Sequence, residues 1–397
     1  MKLFFYELRK SFLRKYVIVF LIVFSVLDVT KISLNYYQGN IDPILQENES
    51  NQGAAEQMYT LTKGSITQDK FTFLKKEEER LGEIYSKKLG NKDENEVTYS
   101  GNLYEDYRLL KLYIAEGFHY AENYSQYSKT ITKIAEDNIG YYKKQNNFLS
   151  AMENKFIADT YSRRNITSFY RSDAVESYFD DFFSFILILI MCFLCIAPVF
   201  GQEYETNMNV LLLSSKKGRI KSTIIKMMAS LCCGAFITLW FCLVDWLTYH
   251  LLCGFEGLDN PIWALPSFKE SFLNSTITHF MLSEILLRVL AVIVIVLSLL
   301  ILSLLLKKPL YVGGSFLVLL GGWYLLSRLS VQSDMLKSLV GLCNPVCLYL
   351  NKQLYQEFHY LEFGTRFYLM SNISIAGNII LAVVLILILF GLKRRMN

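Results

Sequence analysis

Six apolar runs dominate the chain, each close to the length of about 20 mostly apolar residues that a helix needs to cross a bilayer core roughly 30 Å thick. They extend from Tyr16 to Asn35, Phe182 to Phe200, Ile224 to Tyr249, Ile285 to Leu306, Leu310 to Leu329 and Ile373 to Leu392. A length of 397 residues alone would allow two or three soluble domains, but 52% hydrophobic content with only six prolines argues for a polytopic membrane protein. The expected fold is all-α, with six transmembrane helices.

Charge placement orients these spans. Lys2, Arg9, Lys10, Arg14 and Lys15 precede the first; Lys216, Lys217, Arg219 and Lys221 follow the second; Lys307 and Lys308 follow the fourth; Lys393, Arg394 and Arg395 follow the sixth. The connections around Leu258 to Leu282 and Val331 to Asn372 hold few lysines or arginines. The positive-inside rule therefore predicts a multi-pass protein of the cell membrane with both termini cytoplasmic. A net charge of +4 is too mild to argue for nucleic acid.

The basic start and the run "YVIVFLIVFSVL" look like a signal peptide, but Asp28, Lys31 and "LNYYQG" follow where a small-residue cleavage site would stand. A retained anchor is expected. Residues 1–15 put Phe4, Phe5, Leu8 and Phe12 on one helical side and Arg9, Lys10 and Arg14 toward the other. That pattern fits a helix lying along the inner membrane face, or equally a plain basic flank. The expected organisation is a cytoplasmic helix over 1–15, a span over 16–35, a domain over 36–181, a span over 182–200, a cytoplasmic segment over 201–223, and four further spans with short loops over 224–397.

Residues 36–181 are too many for a loop and too polar for the bilayer, so they form a large extracytoplasmic insertion between the first and second spans. From Asn102 to Phe179 the only helix breakers are Gly117 and Gly140, which predicts long helices with a turn near "GYYKKQNN". Tyr113, Tyr120, Tyr124, Tyr127, Ile131, Ile134 and Tyr141 fall on one seam of three- and four-residue spacing. A packing seam with hydroxyls at its wet edge is favoured over a ligand or partner surface.

Signs of catalysis are missing. His119, His250, His279 and His359 are scattered, with no H-E-x-x-H spacing, so no metal site is proposed. Neither a G-x-S-x-G elbow nor a G-x-x-x-x-G-K-[ST] loop occurs, which excludes ATP hydrolysis by the P-loop route. Cys192, Cys195, Cys232, Cys233 and Cys242 lie inside apolar runs, where thiols act as small hydrophobes. Cys343 and Cys347 share an outer loop near Cys253, so a disulfide is conceivable there, with its pairing open.

Ionisable residues inside spans are costly unless paired or hydrated. Asp28 and Lys31 stand near the outer end of the first span. Asp245 lies toward the outer end of the third and Arg288 near the outer start of the fourth, so an Asp245–Arg288 pair is expected, with a polar lining to a transport path as the alternative.

Between the second and third spans runs "FGQEYETNMNVLLLSSKKGRIKSTIIK", Phe200 to Lys226. It resembles the corresponding segment of ABC type-2 transporter permease subunits. Phe200 and Glu203 match the start of the family pattern, Leu211, Leu212, Leu213 and Ser214 its leucine cluster, and Arg219 and Lys226 its arginine and lysine seven residues apart. Asn207-Met208 replaces the usual Gly-Thr, and Lys216 stands where proline is frequent. The resemblance extends to the architecture: an amphipathic start, a first span, a large external insertion and four spans after the cytoplasmic segment. It implies that Phe200, Glu203, Leu211, Leu212, Leu213, Arg219 and Lys226 form a coupling region docking on a separate ABC ATPase subunit. The chain itself would then be non-catalytic and hold no cofactor, ATP and Mg belonging to that partner. A second permease chain, identical or similar, would complete the transporter within the membrane lipids. Family members with a large external insertion include systems exporting or protecting against antimicrobial peptides, and others extruding sodium. The rival reading is a membrane sensor or scaffold whose outer helical domain binds a ligand.

Overall fold

A computed structural model describes residues 2–86, 98–205, 218–328, 343–363 and 366–395. Six helical segments in it are long and apolar enough to cross a membrane: Lys15–Tyr37, Asp173–Gln202, Ile220–Cys253, Ile277–Leu306, Pro309–Leu326 and Met370–Arg394. All six expected spans are therefore present as helices, several of them longer than their apolar runs because polar turns extend them.

Beyond Arg288 the fourth span is apolar on every face save for Ser298 and Ser303, and such a helix belongs at the centre of a bundle. Ala291, Val292 and every residue from Val294 to Leu300 are buried, surrounded by the second, third, fifth and sixth spans. The first span is peripheral. Of its 23 residues only Val17, Asp28 and Ile32 are buried, while Val19, Ile22 and Val26 turn outward onto a face suited to lipid. Ahead of it, helix α1 (Lys2–Ser11) packs against the third span, and Phe12 meets the Phe236 ring edge-on at 5.2 Å.

The second span is built in three pieces, α8 (Asp173–Asp180), α9 (Phe183–Ile196) and α10 (Pro198–Glu205). The first break is at Asp181, whose carboxylate accepts the N–H of Phe183, the first residue of α9, at 3.0 Å. The second falls at Pro198, which has no N–H to continue the helical ladder. Gly201 then lies so close to the Lys307 carbonyl that an added Cβ would sit 2.4 Å from its oxygen.

Helices α3 (Glu49–Thr62), α4 (Gln68–Ser86), α5 (Leu103–Leu110), α6 (Glu116–Lys144) and α7 (Phe148–Tyr161) form the domain between the first two spans. The expected turn is at 145–147, where Asn146 takes φ 57°, a left-handed conformation that asparagine tolerates. Asn147 then caps α7 by accepting the Ser150 N–H. The inner half of the tyrosine seam is packing: Tyr124 is buried, and the Tyr120 and Tyr124 hydroxyls donate to the carbonyls of Trp263 and Lys269 at 2.8 and 3.1 Å. Ile134 and Tyr141, farther along, are exposed, because α6 there projects beyond the loop that covers Tyr120 and Tyr124.

Arg164 fastens this domain to the loop joining the third and fourth spans. Its buried guanidinium lies between the rings of Tyr161 and Trp263 and donates to the carbonyls of Ser271 and Leu273 and to Asn274. The fold departs from all-α in two small pairings, Gly64–Ser65 with Ser168–Phe169 and Tyr360–Phe363 with Arg366–Leu369. Strands this short leave too little alternation to read in a sequence.

Candidate functional site

Ionisable side chains from three spans converge near one end of the bundle. Asp28 lies nine residues before the end of the first span and Asp245 eight before the end of the third, while Glu284 and Arg288 lie seven and eleven residues into the fourth. At 1.5 Å per residue all four fall about 10–17 Å from the helix ends. The antiparallel course of the fourth span brings them to a common level.

Arg288 does not bond Asp245. Its Nη2 donates to Glu284 Oε1 at 2.7 Å, one turn back on the same helix, with both side chains buried. That partner is pre-positioned by helix geometry, so no second element need be ordered to form the pair. The Tyr349 and Tyr178 rings lie 5.3 and 5.9 Å from the guanidinium and give the buried cation a π-electron surface. Lys31 likewise reaches across to Asp181, at 2.7 Å from both carboxylate oxygens, and the Tyr249 hydroxyl donates to the same carboxylate at 3.2 Å. Sequence reasoning missed Glu284, although a glutamate four residues before an arginine inside "MLSEILLRVL" is a legible pairing signal. It also missed Asp181, which looks like a boundary residue until folding carries it to Lys31.

Asp28 and Asp245 remain. Both are buried, they face each other within hydrogen-bonding reach, and the Ser184 hydroxyl from α9 stands beside Asp245. Neither aspartate has a basic partner within ion-pair distance among the described residues.

The other end of the bundle holds two of the expected coupling residues, Phe200 and Lys226. Phe200 is buried, with the ammonium groups of Lys226 and Lys393 at 5.1 and 5.3 Å from its ring, and its N–H donates to Ser303 Oγ at 3.4 Å. Ser303 in turn donates to the Ala197 carbonyl at 2.7 Å. Phe200 and Lys226, 26 residues apart, are thus brought into contact. Leu211, Leu212 and Leu213 lie outside the described residues, as do the side chains of Glu203 and Arg219. Nothing in the sequence marked Ser303 or Lys393 as their neighbours.

A third feature is a cavity of about 320 Å³ where α6 and α7 meet the loops after the third and fifth spans. Aromatic rings of Tyr127, Phe156, Phe272 and Phe358 line it, with the carboxylates of Glu270 and Glu357 at its edge. Aromatic faces and carboxylates together suit an apolar ligand carrying positive charge. Among the described residues no group of three or more His, Cys, Asp or Glu is arranged to hold a metal ion, and no disulfide links Cys253, Cys343 and Cys347. The chain matches no protein-family model, no curated protein and no solved structure.

Proposed function

We propose that the chain is the membrane-spanning permease subunit of an ATP-driven ABC exporter, moved by a separate ATPase subunit that supplies ATP and Mg. The observation that carries this reading is the clamp at Phe200. Both ends of the segment from Phe200 to Lys226 are tied to each other, and through Ser303 and Lys393 to the fourth and sixth spans. A partner pressing on the intervening residues would transmit force to four spans at once, as a lever requires. Leucines for a groove and basic flanks for complementary contacts complete the docking chemistry.

On this reading both termini are cytoplasmic, the domain between the first two spans is extracytoplasmic, and a second permease chain completes the transporter. The cavity of aromatic rings and carboxylates favours cationic, amphipathic peptides, and hence export of or protection against antimicrobial peptides, over extrusion of sodium or another small ion. A membrane sensor or scaffold would have no need of a segment clamped at both ends.

The test is a mild-detergent pull-down from cells expressing the chain with its genomic neighbours, with an ATPase assay on the complex. A stoichiometric nucleotide-binding chain should co-purify, be lost when residues 201–225 are scrambled, and be weakened by Arg219→Glu with the spans intact. A chain that purifies alone, or with a kinase-like partner, rejects the exporter in favour of the sensor.

A further inference from the structure

We propose that Asp28 and Asp245 form a binding site for one exchangeable proton, shared between the first and third spans inside the membrane. The argument begins with charge. Four carboxylates, Asp28, Asp181, Asp245 and Glu284, face two cations, Lys31 and Arg288. Lys31 is committed to Asp181 and Arg288 to Glu284, each at 2.7 Å, so those two pairs are neutral and Asp28 and Asp245 have no cation of their own. Two adjacent carboxylates shut away from water cannot both stay ionised, because desolvation and mutual repulsion both oppose the second charge. A single proton held between them satisfies one oxygen of each and leaves one net negative charge.

Burial and neighbours support the site. Asp28 is 0% exposed and Asp245 2%, and both Asp28 oxygens and one Asp245 oxygen find no donor among the described residues. Ser184 is 0% exposed, and its hydroxyl, which makes no hydrogen bond among the described residues, lies beside Asp245, where rotation of its O–H would turn a donor toward the remaining charge. The other titratable groups packed around the pair, Cys242 and Tyr249 on the third span, Tyr178 on α8 and Tyr349 after the fifth span, are neutral in their ordinary state. A sodium ion fits less well. It is a hard cation that takes several oxygen ligands and would have to gather most of the five that two carboxylates and one hydroxyl hold, whereas a proton needs only one oxygen from each carboxyl.

The position gives the proton a consequence. Asp28 is one of three buried residues on the first span, and among the described residues the carboxyl pair is the buried polar contact between the first and third spans, beside the exposed bond from Trp240 Nε1 to Ser25 Oγ at 2.9 Å. Losing the proton would place two like charges across that contact. The folded chain then holds one proton more than the unfolded chain at neutral pH, and its folding equilibrium should fall about tenfold per pH unit as pH rises.

Infrared difference spectroscopy of the detergent-solubilised full chain in ¹H₂O and ²H₂O tests this. The expected result at neutral pH is a protonated carboxylic acid carbonyl band that shifts on deuteration and disappears in D28N/D245N. D28N alone, in which the amide donates to the Asp245 carboxylate as the shared proton did, should fold and lose the steep pH dependence of the thermal midpoint. Absence of the band in the wild-type chain overturns the proposal. Persistence of the band in the double variant assigns the proton to another group such as Glu284 and also overturns it. Loss of the band when sodium chloride replaces choline chloride makes the site one for sodium instead.

Discussion

Glu47 shows how a single side chain organises the domain between the first two spans. It accepts from both Nη atoms of Arg108 at 2.8 and 2.6 Å, from Asn51 at 3.2 Å and from the Tyr113 hydroxyl at 3.1 Å, joining α3 to α5 and the turn after it. These bonds, that from Arg108 foremost, hold the carboxyl below its ordinary value of 4.5. A depressed carboxyl binds fewer protons in the folded state than in the unfolded one. Its contribution is therefore complete above pH 4.5 and is lost as pH falls through the lower folded value. With Arg108 partly in water, screening limits this to about 1 kcal/mol. Acidification from about pH 6 to about pH 3 should increase proteolysis of the domain, and Glu47→Gln should flatten that dependence while weakening the domain at neutral pH. None of this was legible in the sequence, because Glu47 and Arg108 are 61 positions apart and only folding makes them neighbours. The intramembrane charges were legible one by one. Of their partners only Glu284, four residues before Arg288, was legible, and the expected Asp245–Arg288 pair failed against that carboxylate one helical turn away.

Helices were the most readable elements, since a long apolar run bounded by basic residues leaves few alternatives. The turn between α6 and α7 was readable for the same reason: Asn146 and Asn147 provide the left-handed residue and the cap that such a turn needs. The segmentation of the second span was not anticipated, although Pro198 stands in plain view inside it. Its consequence is local and steric. Gly201 admits the Lys307 carbonyl where the second and fourth spans cross, and backbone cannot yield as a flexible side chain does. Gly201→Ala should therefore force α10 away from the fourth span at a cost of about 1–3 kcal/mol. The thermal midpoint of the detergent-solubilised protein should fall, and co-purification of the proposed ATPase partner should weaken with it, since Phe200 would leave its place beside Lys226 and Lys393. Gly314, whose added Cβ would meet nothing, is the matched control.

The assembled molecule is a bundle built around the fourth span, with a helical domain at one end and the Phe200 clamp at the other. The orientation read from the basic connections makes a prediction at this level. Lys143 and Lys144 are exposed at the tip of α6, so trypsin added outside intact cells should cut there and release a membrane-bound C-terminal fragment. A tag on the C-terminus should stay protected until the membrane is opened. Cleavage only after opening would invert the expected topology and overturn the proposed coupling role of the segment from Phe200 to Lys226. The six spans, their basic flanks and the intervening helical domain were decided by local composition, because bilayer thickness and backbone hydrogen bonding restrict each apolar run without reference to the others. The neutral pair Lys31–Asp181, the burial of Glu284 and Arg288, the carboxyls of Asp28 and Asp245 left facing each other, and the meeting of Phe200 with Lys226 and Lys393 arise only when the spans pack. Except for Glu284 and Arg288, these partners are separated by many residues in sequence, and their energies depend on which neighbours exclude water and which cations are already engaged.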